Sequence, residues 1–358
     1  MLRYKEIKIA LMEEIAKLRT NERLPSRPIL CNRLATTRTT LDKAINELVA
    51  EGVLHSKNGS GTYVTGTGDP LSVQSGSWGI IVPNVMESIY PALVRGIENV
   101  AQQYNVNIIL CNSDNNADKQ EQYIRRLIQS GVSGFIIVPV ISNDVKENFR
   151  LYSQLTEAMT PFVFCNRSVD GISVPVVTSN DFYGGYIATK HLIQNGYRNI
   201  AYISRTKYKT SVDRCQGYIS ALIENGIEVN RRLIVMEEKD KQQPEGYNSM
   251  KSLLTMGEKI DAVFGFNDQV TQGVYLAIQE AGLAISDDIG VIGYDNTEIC
   301  ERSIPKITSL AYKNVEIGEK AAEVLWSRIN GQISSDFDFY LFQPEIIVRD
   351  SCLGKKRI

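Results

Sequence analysis

Gly79-Ile80-Ile81-Val82-Pro83 is a short apolar run closed by a proline, and runs of the same kind return at 106–111, 134–139, 161–165 and 174–177. Further runs follow at 200–203, 233–235, 262–266 and 290–293. Runs of three to six residues, mostly apolar and β-branched, read as buried strands. Between them, apolar residues at helical spacing predict helices over 92–104, 119–130, 183–195, 213–225, 246–256 and 270–281. Strand and helix in strict alternation predict an α/β fold with parallel, doubly wound sheets. Residues 78–350 exceed what one such unit needs, so two lobes are expected.

In open parallel sheets, ligands sit beyond the C-terminal ends of the strands. Polar residues gather at those ends here: Asn84 and Glu87, Asn112-Ser113-Asp114, Asn166-Arg167, Asn267-Asp268 and Asp295-Asn296. An Asp or Asn after a strand often only caps the next helix. Five such clusters, with Tyr90 and Tyr294 nearby as stacking faces, instead suit a cleft for a polyhydroxylated ligand.

The first 66 residues follow another grammar. Ile7, Leu11, Ile15 and Leu18 form one helical stripe; Ser26 is placed to cap a second helix reaching about Leu34. Thr36 or Thr37 caps a third, whose buried stripe is Leu41, Ala44, Ile45 and Leu48, and Gly52 ends it. Two short runs, 53–56 and 62–65, flank the Asn-Gly-containing turn 57–61 and read as a hairpin. Three helices and a hairpin make a winged helix, a small α+β domain. Its third helix opens with Thr37-Arg38-Thr39-Thr40. There one bidentate donor for guanine or phosphate is flanked by hydroxyls and methyls suited to backbone oxygens and thymine. Capping uses one threonine, not three.

Charge divides the same way. The 358 residues carry a net −2, yet residues 1–66 hold 11 Lys and Arg against 7 Asp and Glu, or +4, leaving −6 for the rest. A basic module on an acidic body suits a local DNA footprint. No apolar run reaches the roughly 20 residues of a membrane span, and the N-terminus is not a secretory signal, so a cytoplasmic location is expected. The six cysteines are scattered and only two histidines exist, which predicts neither a metal site nor a disulfide framework. No phosphate loop, dinucleotide fingerprint or nucleophile elbow appears, so no catalytic residues and no cofactor are expected.

Leu24-Pro25-Ser26, then Arg38-Thr39-Thr40, then Glu51-Gly52 and Gly59-Ser60-Gly61-Thr62-Tyr63-Val64 resemble the GntR-type winged helix. That resemblance implies DNA contacts from Thr37, Arg38, Thr39 and Thr40, and a wing tip at Lys57, Asn58 and Gly59 through Gly61. Pro28 and Asp42 stand where the family usually has basic residues; Arg27 and Lys43 are adjacent and able to compensate. Further on, Phe164-Cys165-Asn166-Arg167, the stretch 191–203, Arg214-Cys215-Gln216-Gly217-Tyr218, the stretches 264–270 and 285–296, and 305–310 are similar in order to the LacI-type effector domain. This implies ligand contacts from Tyr90, Asn166, Arg214, Asn267 and Asp295, joined from the strand-end clusters by Asp114, Arg167 and Asp268. Tyr312 stands where a glutamine is common, Asn166 where an aspartate is typical, and the aromatic expected within 239–245 is absent.

The expected organisation is a winged helix at 1–66, a flexible linker at 67–77, a two-lobed effector and dimerisation domain at 78–350, and a tail at 351–358. The combination is similar to arabinose-type repressors. It implies a homodimer that binds double-stranded operator DNA and is released by a small-molecule effector, a sugar or sugar derivative. The competing classes are a binding module without DNA work and a sugar-metabolising enzyme on the same fold.

Overall fold

Leu41, Ala44, Ile45 and Leu48, the predicted stripe of the third helix, are all fully buried and centre the N-terminal core. The computed structural model describes the chain except residues 1–2, 16, 19–21, 51–52, 58–60, 65–75, 143, 206–207, 238–241, 333–337 and 355–358. It forms two units, 1–75 and 76–358. The first contains α1 (Arg3–Ile15), α2 (Arg27–Arg33), α3 (Arg38–Ala50) and the antiparallel pair β1 (Leu54–Lys57) and β2 (Gly61–Val64). Ile7, Leu11 and Ile15 of α1 close over the α3 stripe, with Leu24, Leu30, Leu54 and Val64 completing the core. Ser26 occupies the N-cap of α2, but its side chain makes no capping bond; Pro28 in the first turn sets the helix start instead. Thr37 does cap α3, its Oγ1 accepting from Thr40 N at 3.4 Å.

The second unit begins with β3 (Ser77–Val82), α4 (Ile89–Gln103), β4 (Asn107–Asn112), α5 (Ala117–Gln129), β5 (Gly134–Ile137), α6 (Val145–Glu157), β6 (Phe162–Cys165) and β7 (Val176–Ser179). The chain then crosses to a second lobe. There it forms α7 (Asp181–Gln194), β8 (Ile200–Arg205), α8 (Lys209–Glu224), β9 (Ile234–Glu237), α9 (Tyr247–Thr255), β10 (Ala262–Gly265), α10 (Asp268–Glu280), β11 (Gly290–Asp295), α11 (Glu298–Arg302) and β12 (Thr308–Ala311). It returns with α12 (Asn314–Ile329) and β13 (Phe339–Phe342) to the first lobe, and β14 (Glu345–Ile347) ends in the second. Lobe one is a six-stranded parallel sheet in the order β13-β7-β6-β5-β3-β4; lobe two runs β14-β12-β11-β10-β8-β9, with β14 alone antiparallel. Three passages of the chain therefore join the lobes.

Several expectations need correcting. Ser77, assigned to the linker, is the first residue of β3 and pairs with Asn107. Ser351 and Cys352, assigned to the tail, are fully buried. Ser351 Oγ donates to Val291 O at 2.6 Å and accepts from Thr308 N at 2.8 Å, fastening the chain beneath lobe two. The helix α6 and everything after β11 were not expected as elements. The linker residues 67–75 lie outside the described residues.

Two helix seams shape the lobes. A Cβ on Gly185 of α7 would lie 2.0 Å from the Arg214 carbonyl oxygen of α8, and one on Gly217 would lie 2.0 Å from that of Phe182. Only glycine lets these backbones come so close. In lobe one, Gly96 of α4 and Gly318 of α12 do the same. The first seam carries Asp181 and Arg214 toward the cleft.

Candidate ligand cleft and nucleic-acid interface

Strand ends from both lobes face each other across a cavity. Glu87, Tyr90, Asn166 and Arg167 line it from lobe one; Arg205, Tyr208, Arg214, Asn267 and Asp295 line it from lobe two, and Tyr312 from the segment that crosses between β12 and α12. Asn166 adopts φ 60°, which turns its side chain off the end of β6. It is 5% exposed, yet neither its amide nitrogen nor its oxygen has a hydrogen-bond partner. A buried amide left unpaired costs about 1–3 kcal/mol, so such a group at a cavity wall is placed for a ligand.

Arg214 is the most constrained cation of the cleft. Its Nε donates to Asp181 Oδ1 at 2.7 Å and its Nη1 to Phe266 O at 2.6 Å, while the guanidinium lies 3.5 Å above the Tyr294 ring. Burial opposes its charge, but Asp181 and Tyr294 outweigh that and hold it protonated above its ordinary range. Arg167 donates to Pro139 O and to Tyr90 Oη, both at 3.3 Å, and stacks 4.4 Å from the ring of Tyr208. Tyr208 belongs to lobe two, and Asn115 Nδ2 of lobe one also donates to its hydroxyl at 3.4 Å. The lobes thus touch across the cavity mouth. Arg205 pairs with Glu245 and donates to Gln269 Oε1 at 2.9 Å. Asp295, at φ 98°, has its carboxyl pushed up to about 8 by burial, with Arg214 opposing the rise. Burial likewise pushes the Tyr90 hydroxyl up to about 12, so it stays a neutral donor.

Of the nine expected ligand residues, the structure brings Tyr90, Asn166, Arg167, Arg214, Asn267, Asp295 and Tyr312 to this cavity. Asn267 also caps α10, accepting from Val270 N at 2.9 Å. Asp268 does not line the cavity. It is buried one residue further round the helix, accepting from Ser309 Oγ and Thr297 N, both at 2.7 Å, and so anchors the loop that follows Asp295. Asp114 does not line it either: it is exposed, ion-paired to Lys119, with its carboxyl held below the usual range by that bond. Arg205, Tyr208, Phe266 and Gln269 line the cavity without having been expected. Phe266 was visible at a strand end; Arg205 and Tyr208 were not, because β8 runs two residues past the expected end at 203.

On the first unit, Arg38 projects from α3 with 81% of its side chain exposed, and Thr39 and Lys43 are exposed beside it. Thr37 and Thr40 share a 2.9 Å hydroxyl–hydroxyl bond at the helix start. Arg27 is turned inward on the domain: its Nε donates to Asp42 Oδ1 at 3.2 Å and its Nη1 to Thr62 Oγ1 at 2.8 Å. Lys57 ends β1, paired with Gly61; Asn58 and Gly59 lie outside the described residues. Among the described residues, no three His, Cys, Asp or Glu are grouped to hold a metal. No helix there is long and apolar enough to cross a membrane.

A two-lobed, thrice-connected α/β unit with a polar cleft, carried behind a winged helix, defines a ligand-sensing transcription regulator. Residues 75–337 match the family of periplasmic binding proteins and sugar binding domain of the LacI family, and residues 3–64 match the bacterial regulatory proteins of the gntR family. The chain belongs to the LacI-type family, with a gntR-type domain at its N-terminus. It is 26% identical over 353 residues to the arabinose metabolism transcriptional repressor of Geobacillus stearothermophilus, covering 98% of this chain and 97% of that one. It is 32% identical to catabolite control protein A of Priestia megaterium over 70% of this chain and 74% of that one. Among solved structures, a LacI family transcriptional regulator from Enterococcus faecium with bound ribose superposes with a TM-score of 0.65. It is 28% identical, over 78% of this chain and 99% of that one.

Proposed function

We propose that the protein is a cytoplasmic repressor of carbohydrate-utilisation genes that binds operator DNA as a homodimer and is released by a sugar or sugar derivative. The observation that carries the reading is Asn166, a buried side-chain amide with no partner, set in a cleft between two lobes. Around it stand guanidinium, carboxyl and phenol groups, the chemistry that grips ring hydroxyls from several sides. The ring of Tyr208 and that of Phe266 give apolar faces for the sugar's C–H surface. Ligand that bridges Asn166 and Arg167 on one lobe to Arg214 and Asp295 on the other favours the closed form, because only closure makes both sets of contacts. Two winged helices at a fixed spacing read a two-fold operator, so a change of lobe angle alters half-site register. The gntR-type and LacI-type matches, and the arabinose metabolism transcriptional repressor matched over 97% of its length, support this coupling.

The test is retention of promoter DNA at fixed salt against a panel of pentoses, hexoses and their phosphates, with Arg38→Ala as control. One sugar is expected to weaken binding at least about tenfold, close to 1.4 kcal/mol of coupling, and Arg38→Ala to abolish it. Ligand-dependent strengthening of DNA binding reverses the proposed sign; turnover of the sugar overturns the regulator reading in favour of an enzyme.

A further inference from the structure

Asp42 lies on the outward face of α3, one turn beyond Arg38, with 40% of its side chain exposed. One carboxylate oxygen accepts from Arg27 Nε at 3.2 Å; the other lies 3.7 Å from Arg38 Nε, an ion-pair contact too long for a hydrogen bond. Arg27 is itself tied to Thr62 Oγ1 on β2 at 2.8 Å. The carboxylate is thus held from behind by a residue anchored to the wing strand. The outward face carries Arg38 and Lys43 beside Asp42 and Glu47, and each carboxylate is met by a cation from outside that set, Arg27 on Asp42 and Lys8 on Glu47 at 3.3 Å.

A carboxylate that enters a groove between phosphates is repelled unless it meets a donor. The major groove has two exocyclic amine donors, cytosine N4 and adenine N6. Adenine is best met by an amide, which supplies a donor and an acceptor together; a carboxylate accepts from cytosine. Asp42 has acceptor capacity left, since a carboxylate offers about four lone-pair positions and one is taken by Arg27. Four residues along a helix rise about 6 Å, one to two base steps.

We propose that Asp42 is a specificity-determining residue that accepts from a cytosine amine in each half-site, within about two base pairs of the base read by Arg38. This rests on the reading of α3 as the helix that enters the groove. Arg27 acts as a positioning residue that fixes the carboxylate.

The test is selection from a randomised duplex library by the full-length protein at fixed salt, with wild type, Asp42→Asn, Asp42→Ala and Arg27→Ala. Wild type is expected to favour cytosine by roughly tenfold at one position per half-site. Asp42→Asn is expected to move that preference to adenine, and Asp42→Ala to erase it there while other positions keep theirs. If Asp42→Ala selects the same bases as wild type with uniformly altered affinity, Asp42 is structural and the inference fails. Arg27→Ala is expected to weaken the cytosine preference at that position without moving it to another base, and a cytosine preference left undiminished in Arg27→Ala refutes the positioning role. A wild type that selects no sequence overturns the DNA-binding reading itself, an outcome distinct from both.

Discussion

Asp181, in the first turn of α7, and Arg214, on α8, form a 2.7 Å ion pair with each side chain 4% exposed. Removing one partner strands a charge in a poorly solvated site. Asp181→Ala is expected to cost about 3–5 kcal/mol, the range for breaking a buried pair, because Phe266 O alone is left to Arg214. Urea denaturation measures the loss; a change below about 1 kcal/mol would show that water reaches the pair.

Asn166→Ala separates binding from folding. Its amide has no protein partner to lose, and relief of its burial cost is offset by the strain of alanine at φ 60°, so stability is expected to change by less than about 1 kcal/mol while effector affinity falls at least about tenfold. Calorimetric titration beside thermal denaturation decides it. Equal losses in both would make Asn166 a folding residue.

The pH dependence has a definite sign. The Asp295 carboxyl is pushed up to about 8 by burial, against an ordinary value near 4 in the unfolded chain. Between those values the native state holds the proton and the unfolded state does not. The contribution is fully present below about pH 4, declines as pH rises, and is gone above about pH 8. Asp295→Asn is therefore expected to flatten the fall in stability of the ligand-free protein between pH 6 and 8, and to be the more stable protein at pH 8. An unchanged slope in denaturant titrations at the two pH values refutes this.

The α7–α8 seam tolerates no methyl group. Gly217→Ala places a Cβ about 2.0 Å from the Phe182 carbonyl oxygen and is expected to destabilise by at least about 1–3 kcal/mol. Gly226→Ala, with nothing within 4 Å but a φ of +68°, is the control that registers backbone strain alone.

The cleft was legible in the sequence where a polar residue follows a central strand. Asn166 follows β6 and Asp295 ends β11, both strands lie inside their sheets, and both residues reach the cavity. Asp114 follows β4, the edge strand of lobe one, so the same local pattern delivers it away from the cleft. Asp268 fails for a different reason: the helix turns its side chain about 100° from that of Asn267, toward Ser309. Asp181 carried no local signal of pairing with Arg214, because the pair exists only through the glycine seam, a fact of tertiary packing. The winged-helix core was legible because its stripes are one-faced runs of large apolar residues, whereas the buried face of α12 sets Gly318, Ala321 and Ala322 between Ile317 and Val324.

The return of α12 and β13 to the first lobe has a consequence for biosynthesis. Ile317, Ala321, Val324 and Leu325 fill the core beside Trp78 and Ile80, which precede them by more than 200 residues. A chain emerging from the ribosome can therefore build the β3–β7 sheet early but not seal one of its faces. That face, part-covered by Leu93, Ile97 and Val100 of α4, lacks its α12 residues until the whole of the second lobe has been synthesised. The part of that face awaiting α12 is an apolar surface for chaperones to cover while translation proceeds.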